Sequence, residues 1–144
     1  MNNNKLLDFS IYFHGHLGPF LVLGLRAGFL ANRLLGRDPL NNLTRVYLPL
    51  KKPYSCFIDG IQISTGCTLG KLNLMVFNAN TGIRAEFQNN TVLLVVNIKN
   101  QIITDILKNL KKVPVEEEAW RIWRKEDHHL FTWKLLHIAS PSES

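Results

Sequence analysis

Both cysteines of the chain lie in one short stretch, Cys56-Phe-Ile-Asp-Gly-Ile-Gln-Ile-Ser-Thr-Gly-Cys67, which continues through Thr68-Leu-Gly-Lys71. Thiolate sulfur is a strong ligand for zinc and other soft cations, so the two thiols can meet one ion if the chain between them folds back. Two nitrogens are offered upstream by His14-Gly-His16, since residues two apart in an extended segment point to the same side. The candidate metal set is therefore His14, His16, Cys56 and Cys67. The same stretch is crowded with Asp59, Gln62, Ser64, Thr65, Thr68 and Lys71, more polar groups than a core segment ordinarily carries. Of these, Gln62, Thr65 and Thr68 are the candidates for touching a ligand. A second chemistry is open to the same residues. Cys67, alone or paired with Cys56, would act as a nucleophile or dithiol, activated by a histidine or by Lys71, with Asp59 orienting the base. A third reading leaves both cysteines as inert small hydrophobes in a structural interaction module.

Gly66-Cys-Thr-Leu-Gly70-Lys71 invites comparison with a phosphate-binding loop and fails it. Three residues rather than four separate the glycines, and Leu72 stands where a magnesium-binding hydroxyl is needed. A different pattern holds. Phe13-His-Gly-His-Leu-Gly-Pro19, then Leu23-Gly-Leu-Arg-Ala-Gly28, then Cys-x-x-Asp-Gly-Ile-Gln-x-x-Thr-Gly-Cys-Thr-x-Gly-Lys ending at Lys71, resembles the FmdE-like family associated with formylmethanofuran dehydrogenase. The later chain fits that family's core domain in length and pattern. Two departures stand out: members usually carry a cysteine where this chain has Gly18, and many add a C-terminal zinc ribbon that is not here. The enzyme interconverts carbon dioxide and formylmethanofuran with a molybdenum or tungsten cofactor, but that chemistry belongs to its other subunits. Neither cofactor is expected in this chain. The resemblance implies an accessory protein that binds a divalent metal such as zinc, or a small ligand, and it makes other formylmethanofuran dehydrogenase subunits candidate partners.

The elements that must position these residues can be read from spacing. Pro19 suits a first helical turn and Gly36 a stop, giving a long helix over 19–35. Gly24, Gly28 and Ala31 form a seam of small side chains along it, where a second backbone of the same chain or of a dimer partner can approach. The opposite stripe, Arg26, Leu30, Arg33 and Arg37, is expected to be wet. Residues 44–50 alternate as a strand, and 56–65 fit a short helix at least as well as a strand. Residues 72–79 are apolar on both sides, as in a central strand, while 83–88 alternate cleanly and turn at Asn89-Asn90 into 91–98 as a hairpin. Helices follow over 102–110 and after Pro114, and a last strand spans 130–138. Ser140–Ser144 are expected to fray. The result is an α+β fold, an antiparallel or mixed sheet of about five strands packed with the long N-terminal helix and the C-terminal helices, in a single domain over 1–144.

Composition sets the outer bounds. A chain of 144 residues with 46% hydrophobic content can bury a core without staples. Its charge of +6 is scattered in singles and pairs with no nucleic-acid motif, so no nucleic-acid partner is expected. The apolar run from Leu17 to Leu35 is broken by Arg26 and Arg33, which argues against a membrane span. No apolar leader core precedes Phe9, so a cytoplasmic protein with reduced thiols is expected. Trp120, Trp123 and Trp133 read as core or interface residues, His128, His129 and His137 as surface histidines, and the small-residue seam or the hairpin as the interface of a homodimer.

Overall fold

A computed structural model describes residues 1–138, so the tail expected to fray lies outside the described residues. Along the chain come α1 (Asn3–His14), α2 (Pro19–Leu35), β1 (Leu43–Leu48), α3 (Cys56–Thr65), β2 (Leu74–Asn78), β3 (Arg84–Gln88), β4 (Val92–Ile98), α4 (Asn100–Asn109), α5 (Val115–Trp123), α6 (Asp127–Leu130) and β5 (Phe131–His137). The strands form one mixed sheet in the order β2-β1-β3-β4-β5. β1 and β2 are parallel, with α3 in the crossover between them, and every other neighbouring pair is antiparallel. The expected α+β architecture is the observed one.

The molecule is built on α2. Gly18 caps it in an extended conformation, Pro19 occupies its first turn, and Gly36 ends it at φ 84°. Leu21, Val22, Leu23, Leu25, Ala27 and Leu30 are all fully buried, and the core around this helix includes Val46, Leu48, Ala85, Leu94 and Val96 from the sheet. Transfer of each leucine or valine side chain among them out of water contributes about 1.5–3 kcal/mol. The glycine seam turns out to be an internal contact. A methyl group on Gly24 would strike the Phe57 carbonyl oxygen, and one on Gly60 would strike the α2 backbone at Leu21 and Leu25. Two glycines, one on each helix, thus let α2 and α3 touch backbone to backbone, and the seam is occupied within the chain.

Three further expectations change. The segment before His14 is the helix α1, started by the Asn2 side chain accepting from Lys5 N at 2.9 Å and ended by Gly15 at φ 99°. The stripe expected to be wet is so only at its far end: Arg33 and Arg37 are exposed, but Leu30 is fully buried, and Arg26 donates to the Trp123 carbonyl at 2.7 Å and to Asp127 at 3.0 Å. That guanidinium ties α2 to α5 and α6. Finally, β2 is an edge strand rather than a central one, with Leu74 buried but Met75 and Phe77 exposed. Phe77 stacks on Tyr47 at 5.0 Å, and the Arg84 guanidinium lies 4.3 Å from the Tyr47 ring centre.

Candidate functional site

The ten residues of α3 separate two environments. At its N-terminal end stand Cys56 and, one turn on, Asp59. The last turn of α1 brings His14 there, and His14 Nδ1 lies 2.5 Å from Asp59 Oδ2. Because a carboxylate accepts, Nδ1 carries the proton, and the neutral tautomer with that proton offers its lone pair at Nε2. His14 is 11% exposed, and its Nε2 is buried with no hydrogen-bond partner, alone in that respect among the side-chain atoms of the described residues. Buried polar atoms are nearly always satisfied, so this nitrogen is a candidate contact for a water, an ion or a ligand. The His16 ring lies beside it, 4.8 Å centre to centre.

Cys56 is half-buried on the same end of α3. Burial pushes its thiol pKa up, the Asp59 charge pushes it further, and Lys52 pulls it partly back. It is therefore a protonated thiol at neutral pH and a poor nucleophile unless a cation displaces its proton. Gly18 belongs to this corner as well. A Cβ added there would sit 3.3 Å from His16 Nε2, and its φ of −138° is extended backbone that any residue adopts. The position at which the family resemblance implies a cysteine thus faces the His16 imidazole.

The other end of α3 is different in kind. Cys67 is fully buried, its Sγ donates to the Asn42 carbonyl at 3.4 Å, and its backbone N–H donates to Thr65 Oγ1 at 3.0 Å. At 1.5 Å rise per residue, α3 holds Cys56 and Cys67 about 15 Å apart. The four expected ligands therefore do not converge. His14, His16 and Cys56 share one end, while Cys67 stands at the other, and no three of the four bring ligand atoms within 4.8 Å of one another. The chain does not fold back between the cysteines, because residues 57–65 are helical and only Gly66 turns before Cys67.

The polar crowd around Cys67 holds the loop together. Gln62 Oε1 accepts from Leu69 N, Thr65 Oγ1 donates to the Ile61 carbonyl, and Thr68 Oγ1 accepts from Lys71 N. Lys71 Nζ donates to the Gly66 carbonyl at 2.5 Å and to Thr68 Oγ1 at 3.1 Å, so it caps the helix end rather than activating a thiol. Gln62, Thr68 and Lys71 also line a cleft of about 750 Å³ between α1 and this loop, whereas Thr65 is buried. The apolar wall comes from Leu6, Phe9 and Phe13, with the two phenylalanines 48% and 52% exposed. Motif reading does not single out this wall, although Leu6, Phe9 and Phe13 at three- and four-residue spacing carry its signal.

The fold and the two corners of α3 define a protein of the FmdE type. Residues 13–138 match the family model described as FmdE, molybdenum formylmethanofuran dehydrogenase operon, and the chain belongs to that family. It is also 31% identical over 150 residues to a protein of Archaeoglobus fulgidus named a probable S-adenosyl-L-methionine-binding protein. The match takes in 93% of this chain and 40% of that relative, so the chain spans well under half of the relative's length.

Proposed function

We propose that this chain is an accessory domain of the formylmethanofuran dehydrogenase type that binds a divalent metal such as zinc through His14 and His16, with Cys56 as a thiolate ligand. The observation that carries this is the buried, unpartnered Nε2 of His14, oriented by a carboxylate on the opposite ring nitrogen. A carboxylate in that place is the usual support of a metal-bound imidazole, because it fixes the tautomer and strengthens the donor. Two imidazoles and a thiol suit zinc over magnesium or calcium. Bound there, such an ion supplies Lewis acidity or a cross-link between α1 and α3. Asp59 holds the Nδ1 proton, and Cys56 gives up its own proton to bind. Partners in this proposal are other subunits of the dehydrogenase and a second copy of the chain, in the cytoplasm. Calorimetric titration of untagged protein with zinc tests it: His14→Ala should weaken binding at least about tenfold, and an unchanged isotherm would reject it.

A second occupant is favoured by the cleft beside Phe9 and Phe13. The Archaeoglobus relative is named for S-adenosyl-L-methionine, and a cleft of about 750 Å³ is within the usual range for such a molecule. Aromatic rings suit its adenine, while Gln62 and Thr68 offer polar contacts. Titration with S-adenosyl-L-methionine should then give a heat signal that Phe13→Asp removes. Absence of binding to the unmodified chain would sink this second assignment without touching the first.

A further inference from the structure

Glu126, His128 and His129 form a second group of ligand-type side chains, apart from both ends of α3. Each offers one ligand atom, and these atoms lie within 4.8 Å of one another. Glu126 is the extended N-cap of α6, and both histidines follow in that short helix. The backbone beneath them is anchored on three sides. Asp127 accepts from Arg26 and from Arg33 at 3.0 Å each, Lys99 Nζ donates to the His128 carbonyl at 2.5 Å, and His129 N–H donates to the Glu126 carbonyl at 3.0 Å. Asp127 is thereby neutralised and unavailable as a ligand. The three candidate ligands are not held in this way. The Glu126 and His128 side chains are 74% and 63% exposed, and a long contact of 3.4 Å joins them.

We propose that Glu126, His128 and His129 bind a late divalent transition-metal cation such as zinc or copper(II), at a site separate from His14. Two imidazoles and a carboxylate select such ions over magnesium and calcium. Around an ion with bonds of about 2.1 Å, tetrahedral ligand atoms stand about 3.4 Å apart. Closing from 4.8 Å or less asks only for rotation of exposed side chains over a fixed backbone. Three protein ligands leave at least one coordination position open. Glu126 and His128 line a cleft of about 740 Å³ that also contains Trp123 and Trp133, so an ion held here lies near two indoles.

That proximity supplies a readout besides affinity. Copper(II) alone, titrated into the full chain, should quench tryptophan fluorescence in a phase of about one equivalent, separate from any copper taken up at His14. The double variant His128→Ala/His129→Ala should need at least about tenfold more copper, Glu126→Gln severalfold more, and His14→Ala no more than wild type. All three side chains are at the surface, so a circular dichroism spectrum and melting curve should match wild type. The proposal is overturned if the double variant quenches at the wild-type copper concentration, or if His14→Ala shifts the curve as far as the double variant does.

Discussion

The two ends of α3 carry similar residue types and do opposite things with them. At the C-terminal end, Cys67, Thr65, Gln62, Thr68 and Lys71 all make hydrogen bonds to neighbouring backbone groups or to one another. At the N-terminal end, the His14–Asp59 pair leaves one buried nitrogen with nothing to bind. A dense polar cluster is therefore not in itself a site. What separates scaffold from site is whether the donors and acceptors have already been satisfied.

The contrast depends first on the residue that places both ends. Gly60 lies midway along α3 against the α2 backbone, so Gly60→Ala should destabilise the protein by more than about 3 kcal/mol through overpacking. Helix propensity alone predicts the opposite sign, a gain of about 1 kcal/mol. Chemical denaturation decides between them. Next in size, Cys67→Ser should cost about 2 kcal/mol, because a more polar group enters a fully buried position that has a single carbonyl partner. The same measurement on Cys56→Ser should give a much smaller loss.

How much of this was legible in the sequence depends on the range of the interaction. The strand at 84–88 alternates buried residues with exposed or half-exposed ones, and its pattern can be read directly. The small-residue seam was legible as a close approach, but its partner was not, because Gly60 lies across β1 and a loop from Gly24. Cysteine spacing misled for a related reason. Ten intervening residues permit one shared ion in a loop and forbid it in a helix, and only the packing of Phe57 and Ile61 against α2 settles which. The extended reading of His14-Gly-His16 rests on its two-residue spacing alone. Here Gly15 ends α1 in the left-handed region, which places His14 on the helix and His16 beyond it. The His14–Asp59 pair spans forty-five positions, a separation no local pattern reports.

The N-terminal end can also be strengthened. Gly18→Cys should raise zinc affinity about tenfold, because sulfur would enter beside His16 Nε2 at an unstrained φ. An unchanged affinity would mean that the site was never built around that position. The smallest effect is on alkaline stability. Since the folded Cys56 pKa is raised, its contribution is fully present below the unfolded thiol value of about 8.5 and is lost as pH rises through the folded value. Melting curves from pH 7 to 10 should thus decline less in Cys56→Ser than in wild type. Asp59→Asn should lie between them, because it removes the charge but not the burial.

If the chemistry belongs to one end of α3 and the scaffolding to the other, the two cysteines must differ in what they do for a metal. Zinc titration of Cys56→Ser and Cys67→Ser, side by side in a background carrying His128→Ala and His129→Ala, measures that difference. Cys56→Ser should weaken zinc binding at least about tenfold, while Cys67→Ser should leave it at the parental value. Loss of zinc with Cys67→Ser in a protein that is still folded, together with retention in Cys56→Ser, would refute this division of labour.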